Sequence, residues 1–119
     1  MKINISMTDF SEILLSNQSH PGDSTNETVT GDAVKGDGYY GRSDGVHTVQ
    51  YTYTEFTGTI IIKATLAINP TDGDWFTVHS YNAAQETGSK ITNFTGNYVW
   101  IRATVNYTDG SIESIMLNH

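Results

Sequence analysis

Apolar residues recur at every second position through most of this chain. Val49, Tyr51 and Tyr53 alternate with Gln50, Thr52 and Thr54, and Ile60, Ile62, Ala64 and Leu66 alternate with Ile61, Lys63, Thr65 and Ala67. A period of two marks a strand with one face in a core and the other toward water. The same rhythm puts Val99, Ile101, Ala103, Val105 and Tyr107 together on the core face of the longest expected strand, 98–107. Further strands are expected over 75–81 and 112–117. Turn chemistry separates them: Asn69-Pro70-Thr71-Asp72-Gly73-Asp74 is a turn cluster, 82–90 reads as a polar loop, and Asp109-Gly110 carries the signal of a tight hairpin. Short strands between turn signals, with no amphipathic helix, predict an all-β chain: a single antiparallel β-sandwich or jelly roll.

The first third is less regular. Residues 3–5 alternate weakly, as a short strand would. Asp9 and Glu12 have capping-box spacing ahead of Ile13-Leu14-Leu15, which predicts a helical turn or two. Residues 16–27 are almost free of apolar side chains and read as an exposed connector, and 28–34 as an edge strand. The chain therefore divides into an N-terminal arm and connector, 1–35, and a sandwich domain, 36–119.

Composition sharpens this picture and narrows the partners. The 119 residues suit one core, and Thr, Asn, Ser and Gly outnumber the helix formers. Thirteen acidic against six scattered basic residues, a formal charge of −7, argue against nucleic acid. With no cysteine there is neither disulfide nor thiolate chemistry. The N-terminus, Met1-Lys2-Ile3-Asn4-Ile5-Ser6-Met7, has neither the apolar core of a secretory signal nor a membrane span. The expectation is synthesis in a bacterial cytoplasm, no membrane and no cofactor.

Candidate chemistry is sparse. Asp72 and Asp74 flank a glycine in a turn and are weak candidates for a calcium site, which needs six to eight oxygens. His20, His47, His79 and His119 lack ligand spacing, and His119 reads as solvated. Asp32, Asp37, Asp44, Glu55, Asp74 and Glu113 read as solvated carboxylates, because a small sandwich has little room to wall a glycosidase groove. No catalytic residue is assigned. The loop Gly38-Tyr39-Tyr40-Gly41 looks most functional: its rings stack on a sugar, bury in a neighbouring subunit, or cap an open end of the sandwich. Trp75 and Trp100 are further contact candidates, as is Phe10 on the arm.

One pattern is stated twice. Phe56-Thr57-Gly58 precedes Ile62-Lys63-Ala64-Thr65, and Phe94-Thr95-Gly96 precedes Ile101-Arg102-Ala103-Thr104 with a one-residue offset. Two copies are too few for a solenoid, so they read as equivalent strands of the two sheets. Together with Gly38-Tyr39-Tyr40-Gly41, Ser43-Asp44-Gly45-Val46-His47-Thr48-Val49, Asp74-Trp75-Phe76, Asn97-Tyr98-Val99-Trp100 and Leu117-Asn118-His119, these units resemble small virion structural proteins of contractile-tailed bacteriophages that infect marine cyanobacteria. The resemblance covers 36–119. It implies a non-enzymatic, multicopy or homo-oligomeric component of the particle, a capsid decoration or a neck, tail or baseplate part, bound to other virion proteins. A carbohydrate-binding module for host adhesion is the alternative from another class, and a small glycan-cleaving enzyme a third.

Overall fold

The computed structural model describes residues 11–42 and 44–119. Its elements are β1 (Glu12–Ser19), β2 (Glu27–Thr30), β3 (Val34–Lys35), β4 (Val46–Thr65), a 3-10 turn (Asp72–Asp74), β5 (Phe76–Thr95) and β6 (Trp100–Asn118). All pairings are antiparallel, in the order β1-β6-β4-β5, with β2 and β3 also lying along β6.

Three strands of about twenty residues are too long to lie flat in one small layer, and each bends in the middle. Glu55 on β4, Gln85 on β5 and Gly110 on β6 all take left-handed backbone, with φ of 47°, 53° and 92°. The β4–β5 and β4–β6 registers slip at these points, as bulges require. Side chains stitch the bend: Glu55 N–H donates to Thr87 Oγ1 at 2.8 Å, and Gln85 N–H to Thr57 Oγ1 at 3.0 Å. The halves on either side fold face to face. Tyr51, which pairs with Lys90 in the first half, packs its ring 6.0 Å from His79, which pairs with Ile62 in the second. The sandwich is one sheet doubled over, with its corners made by bulges.

The core lies between the halves. Val49, Tyr51, Tyr53, Phe56, Ile60, Ile62 and Ala64 of β4 meet Ile101, Ala103, Val105, Tyr107, Ile112, Ile115 and Leu117 of β6, all buried. The alternation predicted Val49, Tyr51, Tyr53, Ile60, Ile62, Ala64, Ile101, Ala103, Val105 and Tyr107, whereas Val99, expected with them, is only half-buried and precedes β6. Leu66 is exposed, because β4 ends at Thr65 and the chain leaves the sheet.

Several expected boundaries differ. Asp109-Gly110 does not turn a hairpin, since β6 runs through it and the positive φ serves the corner. The polar segment 82–90 is strand, because a bent edge strand presents mostly solvated side chains. Asp9 lies outside the described residues, but Glu12–Leu15 is strand where a helical turn was expected. A register slip between Ile13 and Leu15 lets the consecutive Leu14 and Leu15 both reach the core. Over its described part the expected arm contributes β1, β2 and β3 to the β6 edge. The two Phe-Thr-Gly units are not equivalent: Phe56 sits at the bend within β4, whereas Phe94 lies at the end of β5. The strands that follow them are neighbours in one half, with Ile62 opposite Ala103 and Ala64 opposite Ile101.

Candidate functional site

The loop between β3 and β4 is held close to the sheet. Gly38 N–H donates to Tyr98 O at 2.8 Å, and a Cβ at residue 38 would strike the Asn97 carbonyl. Successive turns close as Tyr39 N–H meets Gly36 O and both Tyr40 N–H and Arg42 N–H meet Asp37 O. The two rings are thereby fixed at the rim, with Tyr39 44% and Tyr40 50% exposed. They touch edge-on at 5.6 Å, and Tyr39 meets Trp100 edge-on at 5.3 Å.

Trp100 and Arg102 share the outer face of β6, since Ile101 and Ala103 between and beyond them point into the core. Trp100 Nε1–H donates to Ile68 O at 2.9 Å. Trp75 lies under the Arg102 guanidinium, 4.2 Å from its ring centroid. The structure thus brings Tyr40, Tyr39, Trp100 and Trp75 onto one surface, and cations interleave them. Lys35 Nζ stands 4.5 Å over Tyr39 and Arg42 Cζ 4.7 Å over Tyr40, distances at which a cation is attracted to the ring face. Lys63 pairs with Arg102 across the strands. Four of the six basic residues of an acidic chain, Lys35, Arg42, Lys63 and Arg102, therefore gather here. Arg102 Nε is buried without a hydrogen-bond acceptor among the described residues.

Next to this strip, a groove of ≈ 510 Å³ opens between Leu66, Asp74, Phe76, Thr77 and Tyr98. Leu66 and Phe76, which line it, are 68% and 69% exposed. Asp74 is engaged within its own turn. Its carboxylate accepts Thr71 N–H at 2.7 Å and the Thr71 hydroxyl at 3.1 Å, capping the turn, and Asp72 is exposed. Phe10 lies outside the described residues.

Beneath the tyrosine loop is a polar cluster that departs from expectation. Asp37 and His47 are buried, and His119 is half-buried rather than solvated. His119 Nδ1 is 2.6 Å from Asp37 Oδ1, and its Nε2 is 3.5 Å from Glu12 Oε1. Arg42 Nη1 also reaches Asp37 Oδ1, at 3.3 Å. His47 Nδ1–H donates to Gly45 O at 3.0 Å, while its Nε2 accepts Asp37 N–H at 3.2 Å. Burial raises the Asp37 carboxyl, but hydrogen bonding and charge from His119, with His47 and Arg42, outweigh it and hold Asp37 below the ordinary value. Burial lowers the His47 imidazole. Spacing hid this cluster, because its members meet only when the loop and both strand ends converge. One signal was present: His47 falls in phase with Val49, Tyr51 and Tyr53, so the alternation itself put an imidazole on the core face.

No protein-family model and no curated protein matches the sequence. Among solved structures, the chain is similar to the K3 adhesin domain of Lys-gingipain from Porphyromonas gingivalis, with a TM-score of 0.51 at 10% identity over 90% of this chain and 69% of that one. It also aligns with a family 29 carbohydrate-binding module from Piromyces equi (TM-score 0.46, 14% identity, 92% and 90% covered). The C-terminal family 6 module of a laminarinase from Zobellia galactanivorans aligns similarly (0.45, 13%, 90% and 93%). At such identities, likeness to the adhesin domain concerns the fold alone: an all-β, antiparallel sandwich.

Proposed function

We propose that this domain is a non-catalytic recognition module that binds carbohydrate through the aromatic strip, and that the preferred glycans carry acidic groups. The observation that carries this reading is the interleaving of Tyr40, Tyr39, Trp100 and Trp75 with Lys35, Arg42 and Arg102 in a chain of net charge −7. Aromatic rings offer apolar faces to the C–H side of a sugar, and the tyrosine hydroxyls can hydrogen-bond its edges. Guanidinium and ammonium groups beside them suit sulfate or carboxylate substituents. The solved neighbours include modules named for carbohydrate binding, which agrees with this reading without carrying it.

A glycan array spanning neutral, uronic and sulfated oligosaccharides tests it. Binding is expected on the acidic glycans, weakened at least tenfold by Trp100→Ala. Absence of binding to all of them, or equal binding by the variant, would overturn the reading.

A second reading is a structural component of a phage particle, as the sequence resemblance implies. The exposed apolar groove wall formed by Leu66 and Phe76 favours it, since adjoining exposed apolar side chains mark protein contacts. Particles lacking this protein should then take it up stoichiometrically and saturably, and a Phe76→Ser variant should be taken up less.

A further inference from the structure

The cluster under the tyrosine loop has a proton problem. Gly45 O is only an acceptor, so the His47 proton sits on Nδ1, and the Nε2 lone pair accepts Asp37 N–H at 3.2 Å, a bond that a metal ion there would replace. His119 lies between two carboxylates, with Glu12 on its Nε2 side at 3.5 Å and Asp37 on its Nδ1 side at 2.6 Å. A neutral imidazole has one N–H and cannot satisfy both. In the ion-free protein Arg42 Nη1 donates to Asp37 Oδ1 at 3.3 Å, and a metal ion on the Asp37 side would take over that role.

We propose that Asp37, His47 and His119 form a binding site for a divalent first-row transition metal, of which zinc is the type. One donor atom from each residue lies within 4.8 Å of the others. Zinc bonds of about 2.0–2.2 Å in a tetrahedron put donors roughly 3.3 Å apart, so Asp37 and His119 spread while the widest pair closes. Two imidazoles and a carboxylate are a donor set suited to zinc, with a fourth position left open. The outer partners fit as well. Metal-bound histidines give their remaining N–H to a carbonyl or carboxylate, and here Gly45 O serves His47 while the Glu12 carboxylate faces His119.

Arg42 is the competitor. Its Nη1 lies 3.3 Å from Asp37 Oδ1 and 3.4 Å from His119 Nδ1, where it supplies positive charge. Its side chain is half exposed and can swing outward when the ion enters. The ion would join the tyrosine loop, the start of β4 and the chain beyond β6, a cross-link that a cysteine-free domain cannot obtain from a disulfide.

The test is calorimetric titration of the chelator-treated protein with Zn²⁺, with Mg²⁺ and Ca²⁺ as comparators, alongside thermal unfolding. One Zn²⁺ should bind per chain and raise the melting temperature, while Mg²⁺ and Ca²⁺ do neither. His119→Ala should weaken Zn²⁺ binding at least tenfold. Glu12→Gln should weaken it by about 10-fold, as loss of an outer carboxylate does. Arg42→Gln should tighten it, and His20→Gln, remote from the cluster, should leave it unchanged. Asp37→Asn should likewise weaken Zn²⁺ binding at least tenfold, and should that variant fail to fold, His119→Ala decides the matter alone. Absence of saturable Zn²⁺ binding, undiminished binding in His119→Ala, or an imidazolium spectrum for His119 with Zn²⁺ present would each overturn the proposal. None of these outcomes depends on glycan binding.

Discussion

Glu55 and Gly110 sit against each other at the corner of the sandwich, each with left-handed backbone. A Cβ built on Gly110 would strike the Glu55 carbonyl and come within 2.5 Å of Phe56 Cα. Only glycine meets both demands there. Gly110→Ala should destabilise the domain by about 2 kcal/mol or more, strain and clash acting together. Glu55→Gly should be neutral or stabilise it by up to about 1 kcal/mol, because a side chain at positive φ costs about that much. Midpoints of denaturant unfolding check both.

Two strand phenylalanines, Phe56 and Phe76, should behave oppositely. Phe56 is fully buried against Tyr53 and Tyr107, and Phe56→Ala should cost about 3–5 kcal/mol. Phe76 is exposed, and Phe76→Ala should stay within about 0.5 kcal/mol of the parent. Equal losses in the same unfolding assay would show that the groove margin is covered in the isolated protein.

Acid should act through His79. Burial holds its imidazole below the ordinary value of 6.5, and its Nε2 lies 3.2 Å from the Tyr51 hydroxyl. Above the unfolded pKa of about 6.5 both states are neutral and nothing is lost. As pH falls from there through the lower folded pKa, the unfolded chain takes up the proton first, so stability declines. His79→Gln should remove that part of the decline. Melting curves of the two proteins should differ in slope only on the acid side of about pH 6.5.

Recognition by the strip should be electrostatic in part. Lys35→Ala should weaken binding to an acidic glycan while leaving the melting temperature nearly unchanged, since Lys35 lies on the outer face near the end of the sheet. Raising ionic strength to about 1 M, where the Debye length is about 3 Å, should weaken the parent more than the variant. Titration of one sulfated oligosaccharide at two salt concentrations measures this.

The legible part of the fold was its face-by-face alternation. Val49, Tyr51, Ile60, Ile62, Ile101, Ala103 and Val105 are core because a pleated strand sends every second side chain the same way. The hidden part was the bend. Asp109-Gly110 has the same local chemistry whether it turns a hairpin or kinks a continuous strand, and the choice depends on Glu55 of the neighbouring β4. Segment 82–90 looked like a loop for the same reason: an edge strand buries little, so it carries no apolar rhythm.

For the candidate site, Tyr39, Tyr40, Trp75 and Trp100 were recognisable from residue type and turn context. Their gathering with Lys35, Arg42 and Arg102 was not, because it comes from β3, β4 and β6 lying side by side. Asp37 and His119 are 82 residues apart and read separately as solvated groups. The sequence by itself determined strand identity and core face, which are local and periodic. Tertiary structure alone decided where the sheet doubles over, and so which distant polar groups share a buried space.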